Sequence, residues 1–198
     1  MYVTRHSNIT DQNVLRDLWH LYEVAYEPLA AADVTRETLF RSEFDELLAD
    51  PTNRIWVVRD ENRPVAMSLI ATDIGSTRYL SRAYFNRVDP ERSAAGLVHY
   101  VMWVVSHPDY QSGTAIFDLA RGGLAVEAEE GALLVFDLPE SNQPNQEGGG
   151  AELLYRLAQM IGPVSLQEHG MSRYYALDFA PVETEAASTT VEGKRVTA

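Results

Sequence analysis

The sequence predicts a single mixed α/β domain, and three observations support that class. Apolar residues at helical spacing open the chain, two short β-branched runs follow them, and a strand–helix–strand–helix order occupies the second half. Elements that alternate in this way are typical of a sheet covered by helices. Hydrophobic residues make up 45% of the chain and charged residues 23%, which is close to ordinary globular usage and predicts a real core.

Two helices are predicted at the N-terminal end. Thr10 has the residue type of an N-cap, and apolar side chains recur at helical spacing as far as Tyr26, where Pro28 is expected to end the helix. A second helix is predicted to begin at Thr35 and to end before Asp50. Its apolar face consists of five residues: Leu39, Phe40, Phe44, Leu47 and Leu48.

The period changes to that of strands near Arg54. Residues 55–58 and 65–71 are apolar runs on either side of a turn-forming segment, which predicts a β-hairpin. Residues 74–96 keep no sustained period, so we expect a partly helical excursion there. The most strand-like stretch of the chain follows, from Leu97 to Val105.

The second half continues with a predicted helix from Thr114 to Glu130, in which Gly122-Gly123 is a weak point of ~1 kcal/mol per glycine relative to alanine. A buried strand at 133–138, a glycine-rich loop at 139–150, a helix at 151–161 and a last strand at 173–179 are predicted after it. The Thr-, Glu-, Ser- and Ala-rich composition of residues 182–198 predicts a disordered tail, so the domain is expected to span 1–181.

Charge and motifs exclude several classes of function. There are 29 acidic against 16 basic residues, a formal charge of -13, which disfavours nucleic acid and anionic membranes and favours cationic partners such as amines. The absence of cysteine and of H-x-x-x-H spacing argues against a metal site. No apolar run has the length of a signal peptide or a membrane span, so cytoplasmic residence is expected. Three acidic residues near the end of the predicted helix are expected to be solvated surface: Glu127, Glu129 and Glu130.

The strand that ends at Val105 is followed by His107-Pro108-Asp109-Tyr110-Gln111 and then by a glycine. This stretch resembles the most diagnostic segment of the GNAT superfamily of acyl-CoA-dependent N-acyltransferases. The resemblance extends over residues 15–179 in the order of elements and includes the predicted hairpin. It implies a GNAT-like fold with a mixed, mostly antiparallel central sheet, flanked by helices, that splays after Val105.

The resemblance also implies a binding site for acyl-CoA, most simply acetyl-CoA. In the family, the turn after this strand opens a helix whose free backbone N–H groups bind the pyrophosphate of coenzyme A, helped by the helix dipole. The backbone of the strand would hold the pantetheine arm and the turn would hold the phosphates. The residues implied are Trp103, Val104, Val105, Gln111, Ser112, Gly113, Thr114 and Ala115. An ordinary strand-to-helix turn with Thr114 as N-cap is the alternative.

An attacking amine must lose a proton before it can attack the thioester carbonyl. Residues 97–105 contain no carboxylate, so the nearest titratable groups are His99, Tyr100 and His107, each of which has a structural role as its alternative. The resemblance implies Tyr155, on the last predicted helix, as the general acid that reprotonates the departing thiolate. The alternative for Tyr155 is a core aromatic.

Acceptor binding is assigned by the resemblance to the excursion at 74–96 and its vicinity, where Asp73, Tyr79 and Tyr84 are candidates. Asp137 interrupts an otherwise apolar strand. It is either an outward-facing residue, a buried carboxylate with a partner, or a substrate contact.

The leading prediction is an N-acyltransferase that moves an acyl group from acyl-CoA to an amine of a small molecule or peptide by direct attack. The alternative is a GNAT-like protein that has lost catalysis and serves as a binding or scaffold module. The single glycine of the turn and the missing strand carboxylate favour that alternative. The sequence leaves open whether the protein forms a homodimer.

Overall fold

The computed structural model describes residues 1–33, 38–110, 114–139 and 149–170. The predicted strand at 173–179 and the predicted tail at 182–198 lie outside these ranges. The elements in chain order are β1 (Tyr2–His6), α1 (Gln12–Ala32), α2 (Arg41–Ala49), β2 (Asn53–Asp60), β3 (Arg63–Ala71), α3 (Arg82–Val88), α4 (Pro90–Ala95), β4 (Val98–Ser106), a 3-10 turn (Pro108–Tyr110), α5 (Ala115–Glu130), β5 (Leu133–Phe136) and α6 (Gly150–Gln159).

Within the described ranges, the strands form one sheet in the order β1-β2-β3-β4-β5. The first three pairings are antiparallel, and β4 pairs with β5 in parallel through the α5 crossover. Helices α1 and α2 pack on one face of the sheet and α5 packs on the other. The predicted mixed, mostly antiparallel sheet flanked by helices is therefore confirmed.

The first strand was not predicted from the sequence. β1 pairs along its whole length with β2, from Tyr2 opposite Arg59 to His6 opposite Ile55. It is an edge strand whose side chains are exposed or half-buried, so its sequence lacks the β-branched apolar run that marks a buried strand. β1 is therefore recognised by its pairing with β2 and not by its own composition.

Helix α1 differs from the prediction at both ends. Asp11 is the N-cap in place of Thr10, because its carboxylate accepts hydrogen bonds from the backbone N–H groups of Asn13 at 2.8 Å and Val14 at 3.3 Å. Pro28 does not end the helix, which continues to Ala32. The last turn still closes through the Asp33 N–H, which donates to the Leu29 carbonyl at 3.1 Å.

Helix α2 begins at Arg41, later than predicted, and Phe40 is its N-cap. The Phe40 N–H donates to the Glu43 carboxylate at 2.9 Å, which fixes the helix start there. The Phe40 side chain is 77% exposed, so its predicted place on the apolar face is wrong. The remaining apolar residues of α2 behave as predicted, since Phe44 and Leu48 are fully buried.

The predicted hairpin is formed by β2 and β3, and the excursion at 74–96 contains the short helices α3 and α4. The core on the α1 side is rich in aromatic residues. The Phe44 ring stacks on Trp103 with centroids 5.9 Å apart, and Tyr22 contacts both rings. These contacts attach α1 and α2 to the middle of β4.

Two glycines let α5 approach the sheet closely. A Cβ atom added to Gly122 would lie 3.3 Å from Cζ3 of Trp56, and one added to Gly123 would lie 3.7 Å from Nε1 of the same ring. The glycine pair thus marks the place where the helix crosses Trp56. The distance at Gly122 is shorter than an ordinary van der Waals contact, whereas the distance at Gly123 is not.

We expect Gly123→Ala to raise the free energy of unfolding by about 0.5–1 kcal/mol, because alanine has the higher helix propensity and its methyl group fits. Gly122→Ala should gain less, since its methyl group must displace Trp56. Urea denaturation of both variants measures the difference. A Gly123→Ala variant less stable than wild type would contradict the prediction.

A lipid bilayer could not be crossed by any helix of the described ranges, since none combines the required length with the required hydropathy.

Candidate functional site

The middle of β4 carries a bulge on the side that faces β3. Trp103 pairs with Leu69 and Val101 pairs with Ile70, so Met102 is an extra residue in β4. A bulge bends the strand that contains it and increases its local twist. The bend directs the second half of β4 away from the line of its first half.

On its other side, β4 separates from β5. The parallel ladder runs from Val98 opposite Leu133 to Val101 opposite Phe136 and ends there. The backbone groups of residues 102–106 that point away from β3 are consequently not paired with β5. The sheet therefore splays after Val101, within β4, and not after Val105 as predicted, and the splay opens a gap between two adjacent strands.

A cavity of about 570 Å³ occupies this gap. That volume is within the range typical of small-molecule sites. One end of the cavity lies against α1 and is walled by tyrosines: Tyr22, Tyr26, Tyr79 and Tyr100. The other end lies between α5 and α6 and is walled by leucines: Leu119, Leu124, Leu153, Leu154 and Leu157.

A tyrosine and a carboxylate meet in the cavity where β4 and β5 part. The Tyr100 hydroxyl donates to Oδ1 of Asp137 at 2.5 Å. Burial and then the hydrogen bond to Asp137 raise the pKa of Tyr100 well above its usual value, so the phenol stays protonated and remains the donor. Asp137, which follows the end of β5, is exposed and lines the cavity. Asp137 is thus exposed and yet has a partner in Tyr100, and a role in substrate contact stays a prediction.

The other predicted acceptor residues fall in different places. Tyr79 lines the cavity with its ring 6.2 Å from that of Tyr100. Asp73 instead accepts a hydrogen bond from the Gly75 N–H at 2.8 Å in a surface turn. The Tyr84 hydroxyl lies 3.1 Å from Nδ1 of His169. Asp73 and Tyr84 are not among the described residues that line the cavity.

His99 is buried on the opposite side of β4 from Tyr100. Its Nδ1 lies 2.5 Å from Oε2 of Glu127, and its Nε2 lies 3.2 Å from the Gly96 carbonyl oxygen. Both ring nitrogens therefore lie within hydrogen-bond distance of an oxygen atom. Among the described residues His99 is not part of the cavity wall, so the structure does not bring it to the candidate site.

Arg54 completes this buried network. Its guanidinium donates to Glu127 at 2.7 Å and to Glu130 at 2.6 Å. Burial opposes ionisation of Glu127, but the hydrogen bonds from His99 and Arg54 outweigh it, so the pKa of Glu127 is lowered. The expectation that Glu127 is solvated surface is wrong, because the residue is 3% exposed and fully paired.

The same network is the candidate cation site of the described residues, where ligand atoms of His99, Glu127 and Glu130 all lie within 4.8 Å of one another. The Arg54 guanidinium already binds both carboxylates. Both carboxylates thus already have a cationic partner, and Glu127 has a second partner in His99. The arrangement is therefore an ion-pair network joining β2, β4 and α5.

His107 lies at the far end of β4, where its Nε2 is 2.9 Å from the Arg63 guanidinium and its Nδ1 accepts from the Asp109 N–H at 3.3 Å. It is not among the described residues of the cavity wall. The side chain is 12% exposed. Its place directly after β4 and its contacts with Arg63 and Asp109 are compatible with a structural role, and a catalytic role for His107 stays a prediction.

The described residues predicted to bind acyl-CoA lie in three places: the cavity wall, the core on the α1 side and the start of α5. Trp103 and Val104 line the cavity, and Val105 is buried in the α1-side core. The helix begins at Ala115, one residue later than predicted, and Thr114 is in the N-cap position without a side-chain cap hydrogen bond. Three residues of the predicted turn lie outside the described ranges: Gln111, Ser112 and Gly113.

Tyr155 is half-buried on α6. Its neighbours Leu153, Leu154 and Leu157 line the cavity, whereas Tyr155 is not one of the described lining residues. A role as general acid stays a prediction. The structure adds Tyr22 and Tyr26, which sequence reasoning assigned to the apolar face of α1; their helical spacing matches a core position as well as a cavity wall.

Neither a protein-family model nor a curated protein sequence matches the chain. Solved structures do match it. An aminoglycoside acetyltransferase from an uncultured soil metagenomic sample, in complex with sisomicin, is 13% identical, with 89% of this chain and 96% of that chain covered and a TM-score of 0.51. An aminoglycoside 6'-N-acetyltransferase from Acinetobacter haemolyticus is 13% identical, with coverage of 91% and 100% and a TM-score of 0.50.

A tetramutant of a Bacillus halodurans protein is also similar, at 11% identity, with coverage of 89% and 100% and a TM-score of 0.55. At these identities the likeness shows the fold alone. The chain is a mixed α/β protein with a splayed central sheet. Its fold is that of the GNAT N-acetyltransferases, so the resemblance found in the sequence is confirmed at the level of the fold.

Proposed function

We propose that the protein is an acyl-CoA-dependent N-acyltransferase, most simply an N-acetyltransferase, that acts on an amine of a small molecule or peptide. The observation that carries the proposal is the 570 Å³ cavity at the opening between β4 and β5. The cavity reaches both faces of the sheet, so a donor and an acceptor could meet within it. The aminoglycoside acceptors named for two of the similar structures support an amine as the acceptor.

The acyl-CoA would lie along the second half of β4. The backbone of residues 103–105 would bind its pantetheine arm, because the outward groups of this segment are not paired with β5. Its phosphates would lie toward the start of α5, where the first N–H groups of a helix and the positive end of its dipole favour an anion. Thr114 and Ala115 belong to that start.

The reaction needs no covalent enzyme intermediate. The neutral amine nitrogen attacks the thioester carbonyl carbon, a C–N bond forms, the C–S bond breaks and the thiolate leaves with the electron pair. The nitrogen then loses its extra proton, which the thiolate takes up, so the products are a neutral amide and the coenzyme A thiol. Asp137 accepts the proton that the ammonium loses, directly or through water, and Tyr100 orients the Asp137 carboxylate. This assignment replaces the missing carboxylate of β4 with one that follows β5.

Acetyl-CoA is expected to stabilise the folded protein by roughly 2.7 kcal/mol at 100 times its dissociation constant. Thermal denaturation with and without acetyl-CoA, coenzyme A and longer acyl-CoAs measures this shift. Release of the coenzyme A thiol in the presence of an amine then measures transfer. Adenosine alone is the control for nucleotide binding that does not involve the cavity. If no acyl-CoA shifts the transition, the enzymatic proposal fails.

A second candidate is a GNAT-like binding protein that has lost catalysis. Two observations favour it: β4 lacks a carboxylate, and Ile116 places a bulky side chain in the first turn of α5, where it lines the cavity. This candidate predicts acyl-CoA binding without thiol release for any amine. Binding and turnover, measured on the same preparation, separate the two candidates.

A further inference from the structure

We propose that the acceptor is a monoamine with an apolar or aromatic body, whose ammonium group is held by Asp137 while the body lies against the tyrosine wall. The inference rests on the proposed function for the acyl transfer, but it concerns the binding of the amine itself. Three features of the cavity carry it: its charge, its aromatic lining and a cation that already contacts one of its rings.

The first feature is the charge of the wall. Asp137 is the single charged side chain among the described residues that line the cavity. An acceptor with one ammonium group would therefore have one carboxylate to bind it. Against the described part of the wall, a second ammonium of the same molecule would meet neutral side chains, and burial of an unpaired charge is costly. A polycationic acceptor fits this wall poorly.

The second feature is the aromatic lining near Asp137. Tyr22 and Tyr26 stack with centroids 4.5 Å apart, and Tyr79 lies 6.2 Å from Tyr100. Leu39 and Met102 fill the remaining apolar positions of this end. Burial raises the pKa of Tyr22 above its usual value, and Tyr100 behaves in the same way, so both rings stay neutral. A wall of this composition suits an apolar or aromatic body.

The third feature is a cation already present on one of these rings. The Arg78 guanidinium lies 5.4 Å from the centroid of the Tyr79 ring. An aromatic face attracts positive charge through its quadrupole. The rim of the tyrosine wall therefore accepts a cation in this protein. At Asp137, Tyr100 donates to Oδ1 and not to Oδ2, so Oδ2 is the oxygen proposed to bind the ammonium group.

The test compares three amines as acceptors with acetyl-CoA: 2-phenylethylamine, spermidine and sisomicin. We expect kcat/KM for 2-phenylethylamine to exceed that for the two polyamines at least tenfold. Asp137→Asn should lower it by about 10- to 100-fold, through KM because the ammonium loses its partner and through kcat because the proton loses its acceptor, while Asp137→Glu should retain more activity because it keeps the charge. Asp17→Asn, the same change at an exposed position of α1, is the matched control.

The amine is also titrated into the protein without acetyl-CoA, by calorimetry. The inference is supported if 2-phenylethylamine binds more weakly to Asp137→Asn than to wild type and equally well to Asp17→Asn. This holds even if no acyl transfer occurs, because the absence of transfer would overturn only the proposed function. Preference for spermidine or sisomicin overturns the inference and leaves the proposed function standing. Equal behaviour of Asp137→Asn and Asp17→Asn also overturns it.

Discussion

Replacing Arg54 with methionine is expected to lower the free energy of unfolding by about 3–5 kcal/mol, because removal of one partner from a buried ion-pair network leaves an uncompensated charge. The Arg54 side chain is 14% exposed and Glu127 is 3% exposed, so water cannot replace the lost partner. Glu130 loses the same guanidinium. Urea denaturation of the wild type and the variant measures the loss.

The control for this variant is Arg41→Met. Arg41 pairs with Asp45 at 2.8 Å on the surface of α2, with 36% and 32% of the two side chains exposed, and such pairs contribute less than about 1 kcal/mol. Adding Glu127→Gln to Arg54→Met should recover part of the loss, because it removes the buried charge. An Arg54→Met variant no less stable than Arg41→Met would contradict the expectation.

The same network predicts the response to acid. The pKa of Glu127 is lowered in the folded state, so its contribution to stability is present above the unfolded value of 4.5 and is lost as the pH falls through the folded pKa. Wild type should therefore lose more stability than Glu127→Gln between neutral pH and pH values below 4.5. Parallel losses in the two proteins would show that another group is responsible.

Much of the fold could be predicted because hydrophobic periodicity records burial directly. The hairpin of β2 and β3, the strand β4 and the helix α5 all have apolar positions that face a neighbouring layer. The resemblance at His107-Pro108 rests on the same strand-turn-helix order. Edge strand β1 escaped prediction because few of its side chains are buried, and its backbone pairing with β2 leaves no mark in composition.

The candidate site was predictable only in part, because its contacts join residues that are distant in sequence. Tyr100 and Asp137 are 37 residues apart, and each alone has several interpretations. Glu127 illustrates the same difficulty: its place in an acidic run indicates solvent, yet Arg54, 73 residues earlier in the chain, pairs with it in the interior. Partner choice of this kind depends on the fold and not on local pattern.

Replacing Val104 with tryptophan is expected to weaken acetyl-CoA binding at least about 100-fold, or roughly 2.7 kcal/mol. Val104 lines the gap between β4 and β5 and is 47% exposed there, so a larger ring would fill the space proposed for the pantetheine arm. Because the position is open, the ring need not overpack the core, and stability should change by no more than about 0.5 kcal/mol. Calorimetry with acetyl-CoA measures the affinity.

Val88→Trp is the matched control, since Val88 is 43% exposed at the end of α3 and is not among the described residues of the cavity wall. It should bind acetyl-CoA as wild type does. Val104→Ala, which removes bulk from the same gap, should also keep its affinity, because the proposed contacts are made by the backbone. If Val104→Trp binds acetyl-CoA with wild-type affinity, the acyl donor lies outside the gap. The proposal that the β4 backbone binds the pantetheine arm would then be wrong.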